Sequence, residues 1–349
     1  MTTIQDVARE AGVGVGTASR AMSGNPHVAD ATRARVIAAA ERLDFRPSPI
    51  ARAFSRGRTQ TLEVIAPLLI QHFYVEVLRG IELALASDYA LLIRTIEQRA
   101  DRDRVLREQD VRGRVDGALL VSLNPTRGLI GRVTRAALPL VLIDAEHPRL
   151  ASVAVDHAAG AALAVRHLVS LGHRRIALVN HLEDPFAPAY PDARHTGYRV
   201  ALAEAGLQPR PEYEHVTDFT PEAGAEAMRD LMALPEPPTA VFAGSDSQAL
   251  GILEAARQAG RRVPEDVSVV GYNDIEVAAF LGLTTIHIPM RELGRYGVEL
   301  LLEAIDNPDA PPAQIRLPAE LVVRRSSGLA AASPVRTGRA RPLASRSAV

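Results

Sequence analysis

The side chains of this sequence that could do chemistry form two groups, and both suit binding rather than catalysis. The first group stands a few residues after apolar runs: Phe73 and Tyr74, Asp144, Arg194, Ser245, Asp246, Asn273 and Asp274. Aromatic faces beside carboxylate, amide and a guanidinium fork suit a polyhydroxylated small molecule, because each buried hydroxyl needs a partner. Phe73 and Tyr74 equally suit the buried start of a helix, and Asp246 suits an N-cap. The second group is short and polar, ending at Arg20, whose guanidinium can fork onto guanine O6 and N7 and discriminate by about 1–3 kcal/mol. Enzyme chemistry lacks its usual residues: there is no Cys, P-loop, nucleophile elbow or His-x-x-x-His pair, and the ten His are scattered. Gly12-x-Gly14-x-Gly16 looks like half of a dinucleotide fingerprint but follows a helical pattern rather than a strand. The expectation is no catalytic residue, no metal and no cofactor.

The elements that position Arg20 are three short helical patterns. Thr3 with Asp6 opens the first, Ile4 to Ala11, in the manner of a capping box. After Gly12-Val13-Gly14 comes a second, Val15 to Met22, with Ala18 and Met22 facing inward. Two helices joined by so tight a turn form a helix-turn-helix. A third, Ala29 to Leu43, turns Val36, Ile37, Ala40 and Leu43 inward. Ser48, Pro49 and Gly57 then frame a helix of about two turns. Alone it is marginal in water, so a partner can order it.

The first group needs a different frame. From Thr61, apolar strands at 61–67, 90–94, 117–121, 139–143, 175–180, 239–243 and 266–271 alternate with amphipathic helices at 73–87, 101–112, 157–171, 194–206, 221–233, 246–259 and 290–305. This is α/β punctuation, and some 250 residues of it suit two lobes of parallel sheet with a ligand between them, at loops leaving the strands' carboxyl ends. The charge divides likewise. All 40 cations are Arg; residues 1–60 carry +4, 61–328 carry −9 and 329–349 carry +4, for a net −1. A basic head on an acidic body implies that the head meets a polyanion. No secretory leader and no bilayer-length apolar run is present, so a cytoplasmic, nucleoid-associated protein with no membrane partner is expected, which opposes a solute-transport role.

Thr3-Ile4-Gln5-Asp6-Val7-Ala8-Arg9-Glu10-Ala11-Gly12-Val13, then Thr17-Ala18-Ser19-Arg20, closely resembles the head of the lactose-repressor (LacI/GalR) family. The likeness continues through Val28, Thr32–Val36, Phe45-Arg46-Pro47, Ile50–Phe54, Leu171–Ala177, Gly197-Tyr198 and Val267–Asp274. The resemblance implies an N-terminal three-helix DNA-binding domain (1–47), a hinge helix and linker (48–60), a two-lobed periplasmic-binding-protein-like sensor (61–328) and a disordered basic tail (329–349). Lobe 1 is expected at 61–157 and 289–328, lobe 2 at 158–288. It also implies a sequence-specific transcription regulator, a repressor, bound as a homodimer to pseudo-palindromic double-stranded operator DNA and controlled by a sugar or related metabolite. No tetramerising heptad follows Ser327.

By resemblance, Val15, Gly16 and Arg20 read bases, while Thr3, Thr17, Ser19, Ser23 and His27 hold phosphates. Val15 and Gly16 depart from the long polar pair common in the family, so direct readout should be thin. Thr3 equally serves as a cap and the others as exposed polar residues. In the hinge, Arg52, Ala53 and Phe54 meet the minor groove, Phe54 as a wedge between base steps; packing on the sensor is its alternative, and Arg56 meets phosphate or solvent. Among effector residues Phe73, Tyr74, Asp144, Arg194, Ser245 and Asn273, Arg194 stands where the family has its ligand-clamping Arg, with an inter-lobe salt bridge as the alternative. Asn273 replaces the family's usual Asp.

Overall fold

The computed structural model describes residues 2–45, 58–67, 71–85, 89–96, 104, 114–181 and 193–331. The head is α1 (Ile4–Glu10), α2 (Val15–Met22) and α3 (Asp30–Arg42). Thr3 Oγ1 accepts from Asp6 N while the Asp6 carboxylate takes Thr3 N and Oγ1 at 3.0 and 2.7 Å, so the expected capping box forms. Val7, Ala8, Ala18, Ala21, Val36, Ala39 and Ala40 close the core. Ile37, expected inside, is 42% exposed. The buried stripe of α3 runs 36, 39, 40, 43, and Ile37 sits about 100° off it.

The body divides into two compact units, each a doubly wound sheet. In the first, β1 (Thr61–Pro67), α4 (His72–Ala84), β2 (Ala90–Ile96), β3 (Gly117–Val121), α5 (Arg127–Ala136), β4 (Leu140–Ile143) and β5 (Ala151–Val155) are joined, after a long excursion, by α11 (Met290–Asp306) and β11 (Gln314–Leu317). The sheet is fully parallel, in the order β11-β5-β4-β3-β1-β2. Both faces are covered, and β3, β4 and β5 are accordingly buried without alternation. α4 and α11 touch backbone to backbone, since a Cβ at Gly80 would collide with the Arg291 carbonyl and one at Gly294 with that of Val77.

The second unit contains α6 (His157–Ser170), β6 (Ile176–Asn180), α7 (Ala193–Glu204), β7 (Glu214–Val216), α8 (Pro221–Ala233), β8 (Ala240–Ala243), α9 (Asp246–Gln258), β9 (Ser268–Asn273), α10 (Glu276–Leu281), β10 (Thr284–His287) and β12 (Glu320–Val322). Its order, β7-β6-β8-β9-β10 with β12 added at the edge, repeats that of the first unit. In both sheets the winding reverses beside the first strand, between β1 and β3 and between β6 and β8. Ligands of open α/β sheets bind at such switch points, outside the strands' carboxyl ends.

The expected lobe boundary needs correction at two points, the first being that His157, expected in lobe 1, already lies with the second unit. Residues 289–328 do not all return to the first unit: from Ala319 the chain lies with the second. There β12 pairs antiparallel with β10, Ser326 Oγ donates to Val269 O at 2.6 Å, and Gly328 N donates to Ser268 Oγ. Ladder and hydroxyl bonds thus hold a segment that adjacency in sequence assigned elsewhere. The start of the expected tail is also held, by Ala330 N on Leu171 O at 2.9 Å; residues 332–349 lie outside the described residues, as does the expected helix 101–112 apart from Arg104.

Candidate DNA-reading face and effector-binding loops

α2 begins without a side-chain cap at Gly14, so its first amides are left for another acceptor. Val15, its first residue, is 45% exposed, and a Cβ added to Gly16 would have nothing within 4 Å. Arg20 also lies on the exposed face, with Nε donating to Gly16 O at 3.1 Å. Thr3 is committed to its capping box. Thr17 and Ser19 are half-buried, Ser23 Oγ donates to Arg20 O, and the turn before His27 is closed by His27 N on Asn25 Oδ1. Arg33 on α3 secures that turn through Asn25 O and Val28 O. The expected hinge residues Arg52, Ala53, Phe54 and Arg56 lie outside the described residues.

In the first unit, Phe73 and Tyr74 open α4 as an edge-to-face pair with centroids 5.2 Å apart, both half-buried. Asp144 leaves β4 at φ +57° and accepts from Ser122 Oγ, at the end of β3, at 3.0 Å. Both residues stand at carboxyl ends, on left-handed backbone that a non-glycine residue adopts at a cost.

The second unit gathers more. Arg194, in the first turn of α7, carries its guanidinium over the Tyr272 ring at 4.8 Å and the Phe219 ring at 5.3 Å. His181, just past β6, packs on Phe219 at 5.3 Å, and His157 Nδ1 meets Tyr272 Oη at 2.9 Å. Asn273 ends β9 at φ +107°, and its buried Oδ1 accepts no hydrogen bond among the described residues. Asp274 is spent internally, on Arg324 Nη2 at 2.8 Å and His287 Nδ1 at 3.2 Å. Ser245, not Asp246, is the N-cap of α9: its Oγ accepts from Gln248 N at 3.1 Å. Asp246 is 1% exposed and takes Thr285 Oγ1 at 2.6 Å and Ile275 N at 2.8 Å, and burial pushes its carboxyl up to about 7.

Phe219 and His181 escaped sequence reasoning. β7 is only three residues long, so no apolar run announced a strand before Phe219. Among the described residues no helix is long and apolar enough to cross a membrane, and no group of His, Asp and Glu there could hold a metal ion.

A helix-turn-helix with an exposed second helix, followed by sheets whose strand ends offer a guanidinium, aromatic rings and a buried amide oxygen, suits a DNA-binding regulator with a ligand-binding body. Residues 3–48 match the family described as bacterial regulatory proteins, lacI family, and residues 165–327 match the periplasmic binding protein-like domain. Catabolite control protein A of Priestia megaterium is 33% identical over 332 residues, covering 93% of this chain and 99% of that protein. The structure of the transcriptional regulator CelR–cellobiose complex is similar at 32% identity and TM-score 0.68, over 94% of this chain and all of that one. The lac repressor dimer bound to operator and the anti-inducer ONPF superposes at TM-score 0.79 with 26% identity, over 94% and 99%. The chain belongs to the lacI family of transcription regulators.

Proposed function

We propose that this chain is a repressor that binds a pseudo-palindromic operator as a homodimer and answers to a sugar or chemically related metabolite. The observation that carries the reading is the exposed face of α2, where Val15, the open Gly16 and Arg20 present an uncapped helix start and a guanidinium to a groove. Thr17, Ser19, Ser23 and His27 surround that face as phosphate partners, Thr3 contributing through the helix it caps. Arg52, Ala53 and Phe54 are assigned to the minor groove on the strength of the resemblance. Effector contacts are assigned to Phe73, Tyr74 and Asp144 in the first unit and to Arg194, Ser245, Asn273 and Phe219 in the second. An Arg fork, aromatic faces and an open amide oxygen fit a polyol, and CelR binding cellobiose supports the same class. Repression follows from family membership and cytoplasmic action from a DNA target.

The test is selection of bound duplexes from a random-sequence library by the full-length chain, followed by footprinting. A discrete site with two inverted half-sites is expected. Recovery of unenriched sequence would overturn the reading.

A further inference from the structure

Resting on that reading, we propose that Asp116 is a positioning residue through which the sensor grips the chain running to the DNA head, with α11 as the strut behind the grip. One carboxylate holds two consecutive residues: Asp116 Oδ1 accepts from Thr59 N at 2.6 Å and Thr59 Oγ1 at 2.9 Å, and Oδ2 from Gln60 N at 2.8 Å. The backbone completes the hold, since Asp116 N donates to Thr61 O and Ala90 N to Gln60 O, both at 2.8 Å. Gln60 is forced to φ +51°, a left-handed turn that a side chain other than glycine adopts only when its surroundings compel it. One residue earlier, Arg58 reaches the other way, donating Nη1 to Asp306 Oδ1 at 2.8 Å and Nη2 to Ile305 O at 3.2 Å.

The placement of these partners gives the grip its meaning. Asp116 precedes β3, Ala90 opens β2 and Thr61 opens β1, so the clasp closes at the amino ends of the strands, opposite the loops that offer Phe73 and Asp144. Ile305 and Asp306 end α11, a helix of 17 residues, about 25 Å long at 1.5 Å per residue. Its first residue follows the point where the chain returns from the second unit. Along its length Gly294 presses backbone to backbone on α4, the helix that begins with Phe73 and Tyr74, and Leu301 and Ile305 lie over Gly117, next to Asp116. Backbone contacts of this kind resist gradual deformation. A shift of α4 therefore moves α11, and α11 ends on Arg58. The Arg58–Asp306 pair is exposed and weak by itself; the three bonds of Asp116 are what hold the linker still enough for the shift to register.

Coupling is reciprocal, so DNA bound at the head must be felt at α11. Hydrogen exchange of the full-length chain, with and without the library-selected duplex, tests this without knowledge of the effector. For the wild type, slowed exchange is expected in the head, at 59–61 and over the last turn of α11. Asp116→Asn keeps the shape but replaces one acceptor oxygen with an amide that repels Gln60 N. It should retain head protection, lose at least two-thirds of the α11 response and reduce the ratio of specific to non-specific affinity about tenfold. Arg58→Gln, at a solvent-exposed site that leaves the fold intact, should diminish the α11 response alone and decides the matter if Asp116→Asn misfolds. Wild-type protection confined to the head, or variants with an undiminished α11 response, would overturn the proposal. Failure to select any duplex would instead strike the reading of the chain as a regulator.

Discussion

On the proposed reading, a single side chain, Arg194, carries much of the effector contact. Its guanidinium lies over two rings, Tyr272 and Phe219, in contacts worth about 0.5–2 kcal/mol each when desolvated, and charged hydrogen bonds to a ligand add about 1.5–3 kcal/mol. Once a thermal-shift screen over sugars has supplied an effector, Arg194→Ala is expected to weaken it 10- to 100-fold while leaving operator affinity unchanged in a gel-shift titration. A retained response would remove Arg194 from the site. In the head the informative side chains are small. Val15 can offer a base edge only methyl groups, and the methyl groups available in the major groove belong to thymine. If Val15 reads one, replacing the thymines of each selected half-site by uracil should weaken binding about fourfold per half-site, the worth of one buried methyl group. Equal affinity for the two duplexes would show that Val15 reads nothing. Gly16 has no packing reason to be glycine, so Gly16→Ala should stabilise the head by about 0.5–1 kcal/mol, visible as a raised Tm, whatever it does to DNA binding.

Whole elements respond differently to the same change. Gly80→Ala, unlike Gly16→Ala, drives a methyl into the Arg291 carbonyl where α4 meets α11, and it is expected to cost about 1–3 kcal/mol in denaturant unfolding. At the start of α9 the packing acts on a proton. Burial, with the Asp274 charge nearby, outweighs the hydrogen bonds from Thr285 and the Ile275 amide that favour the Asp246 carboxylate, so its folded pKa, about 7, exceeds the unfolded value near 3.8. The folded state then holds more protons between those values, and this group's contribution to stability falls as pH rises from about 4 to about 7. His167 and His173, whose values burial lowers, act in the opposite sense below about 6.5. The difference between wild type and Asp246→Asn isolates the carboxylate: the variant should gain relative stability steadily across pH 4–7 in thermal denaturation, and a flat difference would refute the assignment. Elements with strong periodicity were legible in the sequence. α2 was read at its observed bounds, and the seven strands expected from apolar runs all recur. β5, β7, β10, β11 and β12 were not foreseen, nor were α5 and α10; β11 in particular pairs with β5 across a long stretch of sequence, a partnership that no local pattern announces. Of the candidate site, Arg194 and Asn273 were named from the sequence and stand in the first turn of α7 and at the end of β9, whereas Phe219, which packs on Arg194, was not named. Ser245 took the cap expected of Asp246 because either residue type can cap a helix, and Asp246 is instead held inside by Thr285 of β10 and the Ile275 amide.

At the scale of the whole molecule, charge and exposed apolar surface bear on the proposed homodimer. Residues 61–328 carry −9 and residues 1–60 carry +4, so DNA is attracted to the head and repelled by the body. If direct readout is as thin as Val15 and Gly16 imply, a single head binds poorly, and two heads joined in one particle gain by effective concentration. If the proposed homodimer forms, exposed apolar side chains of each unit are candidates for its surface. Leu83 on α4 and Phe280 on α10 are both 78% exposed, and Leu92 and Ile93 lie exposed on β2, the edge strand of the first sheet among the described residues. A two-fold dimer would bury each patch against its own copy. Light scattering after size exclusion should give twice the 37.5 kDa chain mass for the wild type at micromolar concentration and the single chain mass for Phe280→Asp. The same variant should lose at least 100-fold in affinity for a selected duplex with two half-sites, yet change little on a duplex with one. A Phe280→Asp chain that still dimerises and still distinguishes the two duplexes would place the interface elsewhere, and a wild type that is monomeric on both would leave inverted half-sites without a partner in the protein's symmetry.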